Sequence, residues 1–188
     1  MPNDGSIHVQ DSASVGVYES YSQSQTNDVL CCSECNFTEI NQLLSRYQLT
    51  LNILDETQDI PGSFWGEPEA GLIRQTVYIR PDTPVHSLLH ESCHAICMDP
   101  NRREQLHTDA GGVTDEENAV CYLQILLAEQ ISNFGRQRAL ADMDRWGYSF
   151  RLGSAQRWFE EDAEDAQAWL LSKHLIDSDN QPTFRLRQ

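Results

Sequence analysis

His90-Glu91-Ser92-Cys93-His94 sets two imidazoles and a carboxylate at the spacing H-E-x-x-H. A helix turns 100° per residue, so His90 and His94 lie about 40° apart on one face, one above the other. Both rings can then address a single metal ion. Glu91 falls about 60° beyond His94, beside the ion, where a carboxylate can take a proton from water. Two histidines hold a divalent ion weakly, and a catalytic zinc site uses three protein ligands with a fourth position open. A third ligand must therefore come from elsewhere in the chain.

Glu116 is the preferred third ligand. It shares a helical stripe with Ala119, Val120, Leu123, Leu126 and Leu127. A carboxylate at the end of an apolar face needs a buried partner, and a metal ion supplies one. Glu117 is rotated 100° away and stands three residues after Thr114, the spacing of a capping box, which gives it a different expected role. Glu117, Asp109 and His107 remain the alternatives. His86 continues the four-residue repeat of His90 and His94, and reads as an ordinary polar residue near the helix start, with support of a ligand as the alternative. Cys93 and Cys97 read as small packing residues on the motif helix. The Cys31-Cys32-x-x-Cys35 cluster lacks a fourth ligand nearby and reads as structural rather than zinc-binding.

These side chains need elements to carry them. The motif helix is expected over 84–98, with Thr83 as N-cap, Pro84 as first helical residue and a stop near Asp99-Pro100. The stretch 72–80 alternates like one β-segment, and another strand is expected over 49–55, after a helix over 38–47. Between the strands, Ser63 to Gly71 holds Phe64 and Trp65, expected to cover the core edge, with a pocket wall or lid over the metal as the alternative. A polar loop containing Gly111-Gly112 leads to a helix over 115–132. Two more helices are expected, near 134–146 and 154–175, the latter anchored by Trp158 and Trp169. Residues 1–29 read as a loose polar tail, and 30–188 as a single domain with a helical C-terminal part over 133–188. The class is α+β: a small, mostly antiparallel sheet, a motif helix and a following ligand helix.

Thirteen basic against 29 acidic side chains give a net charge of −16. Such a surface repels phosphate backbones and anionic lipid, so nucleic acid and membranes are not expected partners, whereas a basic peptide or protein suits the field. No apolar run approaches the ~20 residues of a membrane helix, and the N-terminus lacks the pattern of a secretory signal. A cytoplasmic location is the expectation; oligomeric state is left open.

His90-Glu91-x-x-His94 followed by Glu116 resembles the zincin metallopeptidases of the gluzincin kind. Glu116-x-x-Ala119 is similar to the E-x-x-A portion of the third-ligand helix in several small zincins. The resemblance covers about residues 70–130. It implies Zn2+ held by His90, His94 and Glu116, Glu91 as general base, and a peptide substrate lying along the edge strand before the motif helix. Val120 departs from the pattern, since many such families place there a polar residue that buttresses a ligand histidine. No downstream His or Tyr stands out as an oxyanion stabiliser. A second resemblance, carried by H-E-x-x-H with Arg102-Arg103, is to the bacterial elongation-factor-P hydroxylases, and implies Fe2+ instead. A non-catalytic, metal-stabilised binding protein is the remaining reading.

Overall fold

The computed structural model describes residues 28–188, so most of the expected N-terminal tail lies outside the described residues. Helix α1 (Phe37–Arg46) precedes strand β1 (Thr50–Ile53), and strands β2 (Gly71–Ile73) and β3 (Thr76–Ile79) follow. Helices α2 (Val85–Cys97), α3 (Pro100–Gln105), α4 (Thr114–Ala128), α5 (Gly135–Trp146), α6 (Ala155–Glu161) and α7 (Glu164–Ser172) complete the order. The α+β class holds. Among the described residues, no helix is long and apolar enough to cross a membrane.

The sheet differs from expectation in two ways. The single β-segment expected over 72–80 is a hairpin, broken where Arg74 takes the left-handed conformation at φ 54°. The two-residue reversal puts Leu72 and Val77 on one buried face, so the alternation read through Ile73, Val77 and Ile79 changes phase at the turn. The sheet is also mixed rather than mostly antiparallel. In the order β1-β3-β2, β1 runs parallel to the central β3, with Leu51 opposite Val77, and β2 runs antiparallel to it.

Helix α2 is the centre of the fold. All thirteen of its residues are buried, although six are His, Glu or Ser. The sheet covers one side of it, while α4 and α5 pack elsewhere along it. A helix covered all round ordinarily carries apolar residues all round, so its polar side chains must be satisfied from within. The Ser87 hydroxyl oxygen accepts from the Ala70 amide at 3.0 Å, and the Ser92 hydroxyl donates to the Leu88 carbonyl at 2.7 Å. At the helix start, Thr83 does not cap. Its Oγ1 accepts from the Arg80 amide at 2.9 Å, and Pro84 is the capping residue, one position later than expected. Cys93 and Cys97 pack in the core as the sequence reading has them.

The other end of α2 presents four carbonyls that no further helical turn can satisfy. Arginines satisfy them. Arg103 Nε donates to Ala95 O at 2.7 Å and its Nη2 to Met98 O at 2.5 Å. The Arg187 amide donates to Ile96 O at 3.0 Å, and Arg187 Nη1 to Cys97 O at 3.1 Å. Arg103 Nη2 also holds Arg187 O at 2.8 Å, tying the C-terminal segment to the helix end. Guanidinium groups suit this place because the carbonyl end of a helix is its negative end. Arg103 comes from α3, which forms within the stretch expected to be a polar loop. Asp99 caps α3 through the amides of Asn101 and Arg102.

The later helices follow expectation with one exception. The helix expected over 154–175 is two helices, because Asp162 and Ala163 leave the helical conformation between α6 and α7. Trp158 is buried at the core and Trp169 packs against it.

Replacing Arg103 by Met keeps the aliphatic stem but leaves the Ala95 and Met98 carbonyls without their donor. The expected cost is about 2–4 kcal/mol of unfolding free energy. It is read from the urea midpoint at unchanged m-value, and an unmoved midpoint would show that these carbonyls do not need the guanidinium.

Candidate metal centre

His90 and His94 lie one turn apart on α2, and their Nε2 atoms stand 3.1 Å from each other with ring planes at 89°. Both residues are buried. The carboxylate that meets them is Glu117, not Glu116: Oε1 is 3.3 Å from His90 Nε2, and Oε2 is 3.5 Å from His94 Nε2. Among the described residues, His90, His94 and Glu117 are the one group whose ligand atoms converge closely enough to hold a metal ion.

Glu116 has a different partner. Its Oε1 accepts from Arg102 Nη1 at 2.7 Å and its Oε2 from Arg187 Nη1 at 2.9 Å. It does face the buried side of α4, and it does find compensation there, from two guanidiniums rather than a cation between histidines. The expected capping box fails for the same local reason. Helix α4 begins one residue early, at Thr114 with Val113 as its cap residue, so Thr114 cannot serve as N-cap and Glu117 has no role at the helix end. Glu117 is left to turn toward α2.

Seven residues further along α4, two turns from Glu117 and on the same face, stands the buried Gln124. Its Oε1 lies 2.8 Å from His90 Nδ1. An amide oxygen only accepts, so Nδ1 donates to it, and in the neutral ring Nε2 presents its lone pair to the cluster. This support of a ligand histidine is what the sequence reading missed at Val120: the buttress is present, one turn later. The signal was available, since Glu117, Cys121 and Gln124 share a helical face.

The donor set fits a divalent ion. A tetrahedral ion with bonds of about 2.0–2.1 Å needs ligand atoms about 3.3 Å apart; the two Nε2 atoms stand 3.1 Å apart, and each has a different Glu117 oxygen within 3.5 Å. Charge points the same way. Burial would lower the pKa of His90, but Cys121 and Glu117 beside it more than reverse this and hold it well above the ordinary value. Burial would raise Glu117, yet the His90 hydrogen bond and charge hold it down at about 2. Burial, helped by His90, lowers His94 to about 4. The cluster thus favours the charged forms of His90 and Glu117 and the neutral form of His94.

Glu91 is also buried, and burial raises its pKa to about 8. Its Oε2 has no hydrogen-bond partner, and the residue lines the same cleft as His90, His94 and Glu117. The cleft encloses about 310 Å³. Phe64 and Trp65 form one part of its wall, and the loop from Thr108 to Gly112 another. The aromatic pair therefore borders the candidate site instead of covering the core edge.

His86 is wholly buried, against the rings of Trp146 and Tyr148, and burial lowers its pKa to about 3. Neither of its ring nitrogens has a hydrogen-bond partner. His107 bridges the edge of β2 opposite Ile73 and hydrogen-bonds Thr108 at 2.8 Å, away from the metal cluster. Asp109 stands exposed at the cleft, its Oδ1 accepting from the Gly111 amide at 2.9 Å.

The outer edge of β2, expected to pair with a substrate, is already occupied. Arg74 N donates to Leu106 O at 2.9 Å, Thr108 N to Leu72 O at 3.1 Å, and Leu72 N to Gly62 O at 3.1 Å. The chain's own segment 106–108 takes the place of an added strand.

No family profile, curated protein or solved structure matches this chain.

Two substitutions separate the adjacent glutamates. Glu117→Gln is expected to abolish stoichiometric metal binding, whereas Glu116→Gln should retain one ion per chain and lose stability, both read by elemental analysis and urea unfolding. Gln124→Ala should weaken metal affinity by about 10–100-fold, measured by chelator competition. Equal affinity in that variant would remove Gln124 from the site.

Proposed function

We propose that this protein is a metal-dependent hydrolase acting on peptide bonds, a zinc metallopeptidase in the simplest form, with His90, His94 and Glu117 as ligands and Glu91 as general base. The observation that carries the reading is the Glu91 carboxylate: buried, with one oxygen free of hydrogen bonds, on the same cleft as the three ligand atoms. A bound dication supplies Lewis acidity, polarising a carbonyl and lowering the pKa of water toward ~7.

The chain's own residues supply the rest. Gln124 fixes the His90 tautomer, and Glu117 joins the two helices across the cluster. Glu91 takes the proton of the attacking water and returns it to the leaving amine, a role for which a carboxyl with a raised pKa is suited. Because segment 106–108 occupies the β2 edge, a peptide would lie along the Thr108–Gly112 loop rather than add to the sheet.

Two imidazoles and one carboxylate with an open side serve iron(II) oxygenases as well. In that reading the same three ligands hold Fe2+, and Glu91 supports without exchanging a proton with substrate. Anaerobic iron loading followed by oxygen uptake separates the two.

Glu91→Gln should keep the metal content of the parent and lose hydrolysis by about 10²–10⁴-fold. Peptide hydrolysis at the parent's rate, with metal still bound, would eliminate Glu91 as base and with it the hydrolase reading.

A further inference from the structure

The wall of the cleft carries a second kind of information, about what enters it. Phe64 and Trp65 are half-exposed, at 50% and 47%, and lean edge to face with centroids 4.9 Å apart. They are large apolar rings left facing solvent beside a buried polar cluster. The loop that holds them is tied down on several sides. The Gly66 amide donates to Ser63 Oγ at 3.1 Å, Arg80 pairs with Glu67, and Glu67 Oε1 accepts the Ile60 amide at 3.1 Å. Trp146 Nε1 donates to Glu69 at 2.9 Å. At Gly71 a Cβ would collide with the Pro61 carbonyl, so the loop can lie flat against β2 only because that residue is glycine. The rings thus sit on a fixed platform.

The charge of the same cleft is one-sided. Glu91, Asp109 and Glu117 line it, and no Lys or Arg does. Glu117 is engaged by His90 and His94, whereas Asp109 is exposed at the rim and oriented by its bond to the Gly111 amide. The nearest guanidinium behind that loop, Arg102, is engaged by Glu116 and by the carbonyls of Ala110 and Gly111. The whole chain, at −16, adds to the same field. An aromatic face and an uncompensated carboxylate on one cleft suit a cation that is partly apolar, such as a lysine or arginine side chain.

We propose that the cleft selects a peptide bearing a lysine or arginine beside the bond at the metal, its aliphatic stem and charge received between the Phe64–Trp65 pair and Asp109. This rests on the hydrolase reading and names its substrate class. The cation–π and carboxylate contacts act together on one group, so removing either partner weakens selection without touching the metal ligands.

The test uses the full chain as Glu91→Gln, loaded with zinc, so that peptides bind without being cleaved. Fluorescein-labelled hexapeptides identical but for one central residue, Lys, norleucine or Glu, are titrated by anisotropy. The Lys peptide should bind about ten-fold tighter than its norleucine counterpart, with the Glu peptide weakest. Adding Trp65→Ala, or separately Asp109→Asn, should each reduce the Lys-to-norleucine ratio several-fold, and salt should reduce it further. Equal binding of Lys and norleucine peptides, binding of none, or a ratio indifferent to both substitutions overturns the proposal. Zinc content measured on the same samples assigns the failure. One ion per chain without lysine preference sinks the substrate class alone, whereas no ion sinks the metal centre beneath it.

Discussion

Two adjacent carboxylates on the first turn of α4 point 100° apart, and the site depends on each finding a different positive partner. Glu116 goes to Arg102 and Arg187, and Glu117 goes to the imidazoles of α2. Neither could be exchanged without leaving a buried charge unanswered, which is among the most costly faults a fold can carry. The pairing at Glu116 reaches further than one ion pair. The guanidinium of Arg102 also holds the carbonyls of Ala110 and Gly111, so the interaction that seats the ligand helix seats the cleft wall as well. The C-terminal segment enters through Arg187, which joins Glu116 to the end of the motif helix.

The motif helix imposes the complementary constraint. It is buried on every side, yet carries the side chains that would do chemistry. Burial makes those side chains useful: it shifts their proton affinities and lets small charges act strongly on one another. Burial is also costly wherever a polar atom lacks a partner, as at both His86 ring nitrogens, His94 Nδ1 and Glu91 Oε2. Gln124 answers His90, serines answer local backbone groups, and two arginines answer the four terminal carbonyls. Rigid surroundings of this kind hold a ligand set in place in a way that a loop cannot.

The surface of the site continues that logic outward. Fixing the 60–70 loop against β2 requires Gly71, the Arg80–Glu67 pair and the Trp146–Glu69 hydrogen bond, and the reward is a pair of aromatic rings at the mouth of a polar cleft. Occupying the β2 edge with the chain's own segment 106–108 also removes an open ladder that would otherwise invite other strands.

Much of this was legible in the residues themselves. His90, Glu91 and His94 share a helix and their angular relation follows from helical geometry alone, so the pair of imidazoles and the neighbouring carboxylate could be read without coordinates. The α+β order and the limits of α1, α2 and α5 were local as well, set by periodicity and stop signals. Tertiary structure decided the rest: which glutamate faces the histidines, that Gln124 supports one of them, and that the aromatic pair borders the cleft. The reason is physical. Spacing along one helix is a short-range property, but a carboxylate's partner is chosen by whichever cations the folded chain brings near, and Arg187 lies 71 residues from Glu116 in sequence.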